Sequence, residues 1–220
     1  MLHYVTKSLK AVSGLLIFAF GSYLTIQANI GLAPWEVFGM GVSHVTHTTY
    51  GTVMVISSIL ILGVDLLIGE RIGLGTLLDA LLTGTFVDVF LFWNPLPQQT
   101  TLLAGIAFLL PGLVLMQVGS YVFMSCGLCC GPRDSLMVGL GKRLKKLPIG
   151  LVKIIIDAAV LLIGWLLGGP VGVGTVVSVC FSGMILQGVF RLFHFEPRTV
   201  PQEDIFGTIR AIWPGDQKSA

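Results

Sequence analysis

Charged residues are scarce in this chain of 220 residues. Asp, Glu, Lys and Arg together make up 11% of it, whereas about 25% is usual in a soluble domain. Hydrophobic residues make up 54%, so too few charged side chains remain to cover a water-exposed surface, which excludes an ordinary soluble fold. The net charge of +2 is also too small to indicate nucleic-acid binding.

Motifs for catalysis and cofactor binding are missing as well. The chain has no G-x-S-x-G, H-E-x-x-H or Walker sequence, and we therefore predict that it is not an enzyme and binds no cofactor. Cys126, Cys129 and Cys130 form a C-x-x-C-C cluster, but no second Cys or His cluster completes a tetrahedral site, so we predict no metal. We interpret these cysteines as small, closely packed side chains, with redox or metal chemistry as the alternative.

Long apolar segments dominate what is present. Crossing the hydrocarbon core of a bilayer, about 30 Å thick, takes about 20 residues of helix. Six segments meet this length: 9–29, 51–69, 73–93, 101–126, 149–168 and 172–193. We predict an all-α membrane protein of about six transmembrane helices, with one transmembrane domain over 1–193 and a short cytoplasmic tail over 194–220. Two shorter segments, 34–47 and 132–144, are left open as re-entrant, interfacial or spanning.

The second half of the chain repeats the first at an offset of 98 to 99 residues. Repeat 1 covers about 9–93 and repeat 2 about 101–193. Shared hydrophobicity alone would align Leu and Val, but here Gly, Ser, Tyr, Pro, Thr and acidic residues match in order, which indicates an internal repeat. The matches are Gly14 with Gly112, Gly21-Ser22-Tyr23 with Gly119-Ser120-Tyr121, Pro34 with Pro132, Glu36 with Asp134, and Gly73-x-Gly75-Thr76 with Gly172-x-Gly174-Thr175.

Each repeat contains three long apolar segments and one short segment that begins with proline. If the short segment does not cross, each repeat has an odd number of spans, and the second is inverted relative to the first. With the N-terminus inside, the outer loops 30–50, 94–100 and 169–171 then contain no Lys or Arg, as the positive-inside rule requires. We therefore predict two inverted three-helix repeats and cytoplasmic termini.

An alternative arrangement makes both short segments cross and gives eight spans in two parallel halves. It exports only Arg71 among the basic residues, so the charge distribution argues weakly against it. Length argues more strongly, because 34–47 supplies 14 residues, fewer than the approximately 20 that a span needs. We favour six spans.

The two Pro-started segments carry an acidic residue at matching positions. Pro34 and Pro132 are suited to the first position of a helix, where the missing N–H has no partner to lose. Glu36 and Asp134 then fall in the first helical turn, where a carboxylate is favoured by the helix dipole. One interpretation is a pair of helix caps. The other is that the short helices converge on a central site, as in secondary transporters, where Arg133 adds a fixed charge.

Charged residues inside the long segments are the other candidates, because a charge at the bilayer centre costs about 2.5–3.5 kcal/mol on insertion scales. Lys153 and Asp157 are four residues apart on one helix, which predicts an intramembrane ion pair. The pair either orients two helices or acts as a proton or substrate relay. Asp79 has no acidic counterpart in the second repeat and is the candidate for proton coupling, with pairing to Lys153 as the alternative. Asp65 and Asp88 lie nearer segment ends, and we expect them to be solvated.

Three stretches, 31–38 (GLAPWEVF), 131–140 (GPRDSLMVGL) and 163–175 (IGWLLGGPVGVGT), resemble the YczE/YyaS/YitT group of small bacterial membrane proteins. The similarity covers most of 8–193, and 131–140 with its following basic loop is most similar to the YczE branch. The resemblance implies a protein of the bacterial inner membrane. It implies no biochemical activity.

These observations lead to two functional hypotheses. The first is a secondary transporter or exporter of a small solute, with Glu36, Asp79, Arg133 and Asp134 lining the pathway, by analogy with inverted-repeat transporters. The second is a non-transporting accessory protein that stabilises or activates a membrane partner. The expected partners are the lipid bilayer, a small solute or proton, and either a second copy of the chain or another membrane protein, with no nucleic acid.

Overall fold

A computed structural model describes residues 2–70, 72–128, 130–197 and 199. Arg71, Cys129 and most of the predicted tail lie outside the described residues. Those residues form eight α-helices and no strand, so the prediction of an all-α protein is confirmed. The helices are α1 (Leu2–Gln27), α2 (Pro34–Thr46), α3 (Tyr50–Ile68), α4 (Leu74–Trp93), α5 (Leu102–Met124), α6 (Pro132–Arg143), α7 (Ile149–Leu166) and α8 (Val173–Leu192).

Six of these helices, α1, α3, α4, α5, α7 and α8, are long and apolar enough to cross a membrane. They correspond to the six predicted segments, although α1 begins several residues before the predicted start. The short helices α2 and α6 have 13 and 12 residues, and each begins at the proline that the sequence indicated. Neither reaches the approximately 20 residues that a span requires.

Helices α1 and α5 form the largest packing interface and run antiparallel. Gly14 lies against Gly119, and Gly21 lies against Gly112, so residue numbers rise along one helix as they fall along the other. A Cβ atom added at Gly112 would lie 2.9 Å from the carbonyl oxygen of Gly21. Small residues permit this close backbone approach, which stabilises helix pairs in lipid.

We expect Gly112→Leu to destabilise the protein, because the added side chain has to force the α1 and α5 backbones apart. Overpacking costs about 1–3 kcal/mol, and the measurement is thermal unfolding of the purified protein in detergent. Gly63→Leu on α3 is the matched control, since a Cβ atom there meets nothing within 4 Å. Equal stability of the two variants would contradict the close packing of α1 on α5.

The packing of the first half has a counterpart in the second half. Helix α1 packs on α4 as α5 packs on α8, and α3 on α4 as α7 on α8. The short helices exchange halves, which means that each packs mainly on a helix of the other half. Helix α2 packs mainly on α7, and α6 packs mainly on α3.

The cross-connection between halves extends to backbone hydrogen bonds. The Gly75 N–H of α4 donates to the Leu128 carbonyl before α6, and the Gly174 N–H of α8 donates to the Ile30 carbonyl before α2, both at 2.7 Å. The start of the last helix in each half is therefore tied to the loop that leads into the short helix of the other half.

The C-terminal ends of α3 and α6 lie side by side. The Lys142 ammonium is 2.6 Å from a Glu70 carboxylate oxygen, and the Arg143 guanidinium donates to the Ile68 carbonyl at 2.7 Å. The α3–α4 turn and the α6–α7 loop therefore share one end of the helix bundle.

Candidate functional site

The first turns of α2 and α6 meet in the interior. The guanidinium carbon of Arg133 lies 4.8 Å from the ring centre of Trp35, which is the distance of a cation–π contact. These two residues occupy equivalent positions in the two repeats. Arg133 also donates to the sulfur of Met54 on α3 at 2.9 Å, so its charge is held by two soft, neutral partners.

Glu36 of α2 is completely buried beside this contact. The Ser22 hydroxyl of α1 donates to its Oε1 atom at 2.6 Å, while its Oε2 atom is buried without a hydrogen-bond partner among the described residues. Burial raises the pKa of the Glu36 carboxyl, and the Ser22 hydrogen bond partly opposes that rise. The group is therefore poised to be neutral, because a buried carboxylate with an unsatisfied oxygen is costly.

A small cavity of about 30 Å³ lies next to this centre. Its polar lining consists of Asp79 and Thr83 of α4, Ser120 of α5, and Arg133 and Asp134 of α6. The Thr83 hydroxyl donates to Asp79 at 2.5 Å. The volume and polar lining suit a water molecule or small ion, which needs at least about 10–15 Å³ and several polar partners.

The structure thus brings three predicted pathway residues, Asp79, Arg133 and Asp134, to one cavity, and places Glu36 near Arg133. Burial, and then the neighbouring Asp79 charge, raise the pKa of Asp134 to about 6. Two carboxyl groups that face each other across such a cavity disfavour simultaneous ionisation.

Lys153 and Asp157 of α7 lie 3.2 Å apart, the geometry of an ion pair. The Ser182 hydroxyl of α8 donates to the same carboxylate at 3.0 Å. Asp157 is 2% exposed and Lys153 19% exposed in their side chains. Lys153 is thus held by Asp157, and the alternative ion pair with Asp79 does not occur among the described residues.

The expectation that Asp65 is solvated is wrong. Asp65 is 2% exposed, and neither carboxylate oxygen has a hydrogen-bond partner among the described residues. Asp88 is partly buried, and its Oδ1 atom accepts from the Gly51 N–H at 3.0 Å. The distance of a residue from the end of its helix therefore does not predict whether its side chain is buried or exposed.

Sequence reasoning did not select the hydroxyl groups that complete the site. Ser22 and Ser120 were visible as members of the matched Gly-Ser-Tyr triplets, and each lies next to an acidic centre in the structure. Thr83 and Ser182 also occupy equivalent positions in the two repeats, each directly before a matched glycine. That match could have selected them, although single hydroxyl residues are common in membrane helices.

The described cysteines do not line this cavity. Cys126 and Cys130 are buried and Cys180 is exposed, while Cys129 is not described. Over the described ranges, no group of three His, Cys, Asp or Glu side chains is placed to hold a metal ion.

The six long helices around a buried polar centre define a multi-pass, all-helical membrane protein. Residues 5–191 match a family of unknown function, DUF6198, and the chain belongs to that family. No solved structure matches the chain significantly.

Three relatives extend this assignment. An uncharacterized protein of Haemophilus influenzae is 33% identical over 202 residues, covering 90% of this chain and 91% of the relative. The uncharacterized membrane protein YczE of Bacillus subtilis is 34% identical over 177 residues, covering 80% and 81%. YyaS of the same organism is 30% identical over 178 residues, covering 79% and 87%. The resemblance to YczE and YyaS is thereby confirmed.

Proposed function

We propose that the protein is a secondary transporter or exporter of a small solute, in which two inverted halves move around the site described above. The observation that carries the proposal is the contact between the α2 and α6 first turns beside a polar cavity, which Arg133 and Asp134 of α6 help to line. Inverted-repeat transporters place their sites at the same kind of position, between short or broken helices. The antiparallel packing of α1 on α5 supports the inversion.

The proposed orientation is six spans in the bacterial inner membrane, with both termini cytoplasmic. It places the α3–α4 turn and the α6–α7 loop on the same, cytoplasmic side. The Glu70–Lys142 contact supports this arrangement, because eight parallel spans would put those two residues on opposite sides of the membrane. Each short helix then enters the bundle and returns to its own side.

Accessibility labelling tests the orientation. Single cysteines that replace Val45 and Arg71, in a background without the four native cysteines, are exposed to a membrane-impermeant maleimide in intact cells. We expect Val45→Cys to react from outside and Arg71→Cys to react only after the membrane is opened. The reverse pattern would establish eight spans and remove the inverted halves.

The cavity volume bears on the state of the molecule. About 30 Å³ is too small for an organic solute. We call this conformation the closed state, and the proposed transport requires the halves to separate around the cavity.

Transport is tested in proteoliposomes that contain pyranine as an internal pH indicator. After a pH gradient is imposed, a panel of organic cations, organic anions and amino acids is added one at a time. At least one compound should change proton flux relative to protein-free liposomes. Flux indistinguishable from that of the protein-free liposomes for every compound would count against proton-coupled transport and favour the accessory-protein hypothesis.

A further inference from the structure

The interior charges of the site do not balance. Four carboxyl groups, those of Glu36, Asp79, Asp134 and Asp157, share the region with two cations, Arg133 and Lys153. Asp157 and Lys153 neutralise each other at 3.2 Å. Three carboxyl groups therefore remain for one guanidinium, and Arg133 forms no ion pair with any of them among the described residues.

A fully ionised arrangement would leave two more carboxylates than cations in this region. Buried charges without a partner carry a large desolvation penalty, and Glu36 bears it in full, because Asp79 and Asp134 are only partly buried. Asp79 and Asp134 line a cavity with room for a water molecule or a small cation. Glu36 has no exposed surface, and its Oε2 atom contacts neither solvent nor a hydrogen-bond partner. A proton is the neutralising species that fits there.

We propose that Glu36 is a proton-binding residue of the transport cycle, protonated in the closed state and deprotonated when its side of the site opens to water. This proposal rests on the proposed transport function, and it names the proton as the coupling ion. On opening, the O–H bond of the Glu36 carboxylic acid breaks, the proton passes to water, and the carboxylate keeps the electron pair.

The surroundings of Glu36 suit a switch of this kind. Among the described residues, the titratable or charged groups that interact with it are Tyr50 of α3, Arg133 of α6 and Lys153 of α7. Helix α1 presents the Ser22 hydroxyl, and α8, which also packs on α2, carries only Cys180 and Arg191, both exposed.

Arg133 is the group that responds to loss of this proton. Its present partners, the Trp35 ring and the Met54 sulfur, are neutral, and a carboxylate attracts a guanidinium more strongly than either. A charged Glu36, one residue along α2 from Trp35, would therefore draw Arg133 away from Met54. Because Arg133 belongs to the first turn of α6, the proton state of Glu36 becomes coupled to the relative position of α2 and α6.

Infrared spectroscopy with Glu-specific ¹³C labelling tests this directly. The chain contains four glutamates, Glu36, Glu70, Glu196 and Glu203. Glu70 is ion-paired with Lys142 and Glu196 is exposed, whereas Glu36 is completely buried. The purified wild-type protein should show a ¹³C-shifted C=O band of a protonated carboxyl at neutral pH.

The substitution Glu36→Gln should abolish that band, and Asp88→Asn, outside the central cluster, should leave it unchanged. Because the label reports on the wild-type chain, the test stands even if Glu36→Gln fails to fold. Absence of a shifted band in the wild type at neutral pH, or its persistence in a folded Glu36→Gln variant, would overturn the proposal. If the band is present but no transport is detected, the proton site stands and the proposed transport function fails. If transport is detected but the band is absent, the transport function stands and the proton site at Glu36 fails.

Discussion

Replacing Lys153 with methionine is expected to destabilise the protein by about 3–5 kcal/mol, because it leaves the Asp157 carboxylate buried without its cation. Asp157 is 2% exposed, and among the described residues the variant retains only the Ser182 hydroxyl as its partner. Thermal or denaturant unfolding of the purified protein in detergent measures the loss.

The first repeat supplies a matched rescue for this variant. At the positions equivalent to Lys153 and Asp157, it carries Met54 and Ser58, both buried. The double substitution Lys153→Met with Asp157→Ser introduces the residues of the first repeat. We expect it to restore most of the lost stability, because replacing both partners of a buried ion pair is far less costly than removing one. If the double variant is as unstable as the single one, the ion pair is not the source of the effect.

The same double variant tests whether the ion pair only stabilises the fold or also takes part in the proposed transport. If it is stable and still transports, the ion pair only joins α7 to α8 through Ser182. If it is stable but inactive, Lys153 and Asp157 take part in transport.

The second large effect is expected from Asp79→Asn and Asp134→Asn. Each removes one of the two carboxyl groups that line the cavity while retaining the size of the side chain. A positioned acid or base typically contributes about 10²–10⁴-fold to a proton-transfer step, and we therefore expect at least about a tenfold loss of solute-dependent proton flux in the pyranine-loaded proteoliposomes.

Asp88→Asn is the control for both variants, since Asp88 contacts Gly51 and lies outside the cavity. Its flux should remain within about twofold of wild type, an allowance well below the loss expected when an acid–base group is removed. Full activity of Asp79→Asn and Asp134→Asn together would exclude the cavity from the transport pathway.

The helices could be predicted from the sequence because bilayer thickness dictates their length and proline marks where the short ones begin. The Lys153–Asp157 contact could be predicted as well, since residues four apart on a helix share a face. In both cases the residues that determine the feature are close together in the sequence.

Long-range packing could not be predicted in the same way. Helix α3 is apolar nearly all round, so no hydrophobic face reveals that Asp65 is buried against the bundle. The exchange of α2 and α6 between halves is likewise invisible, because either short helix could pack on either neighbour by composition alone. The meeting of Trp35 and Arg133 depends on that exchange.

The contact between Trp35 and Arg133 has a consequence for the symmetry of the site. In a dimer of identical halves, these equivalent positions would carry two guanidiniums, which repel each other, or two indoles, which leave the centre without a fixed cation. In one chain the two repeats differ in sequence, so one position carries the indole and the other the guanidinium. The centre is therefore asymmetric, and in the proposed transporter a solute arriving from one side of the membrane would meet different chemistry from a solute arriving from the other side.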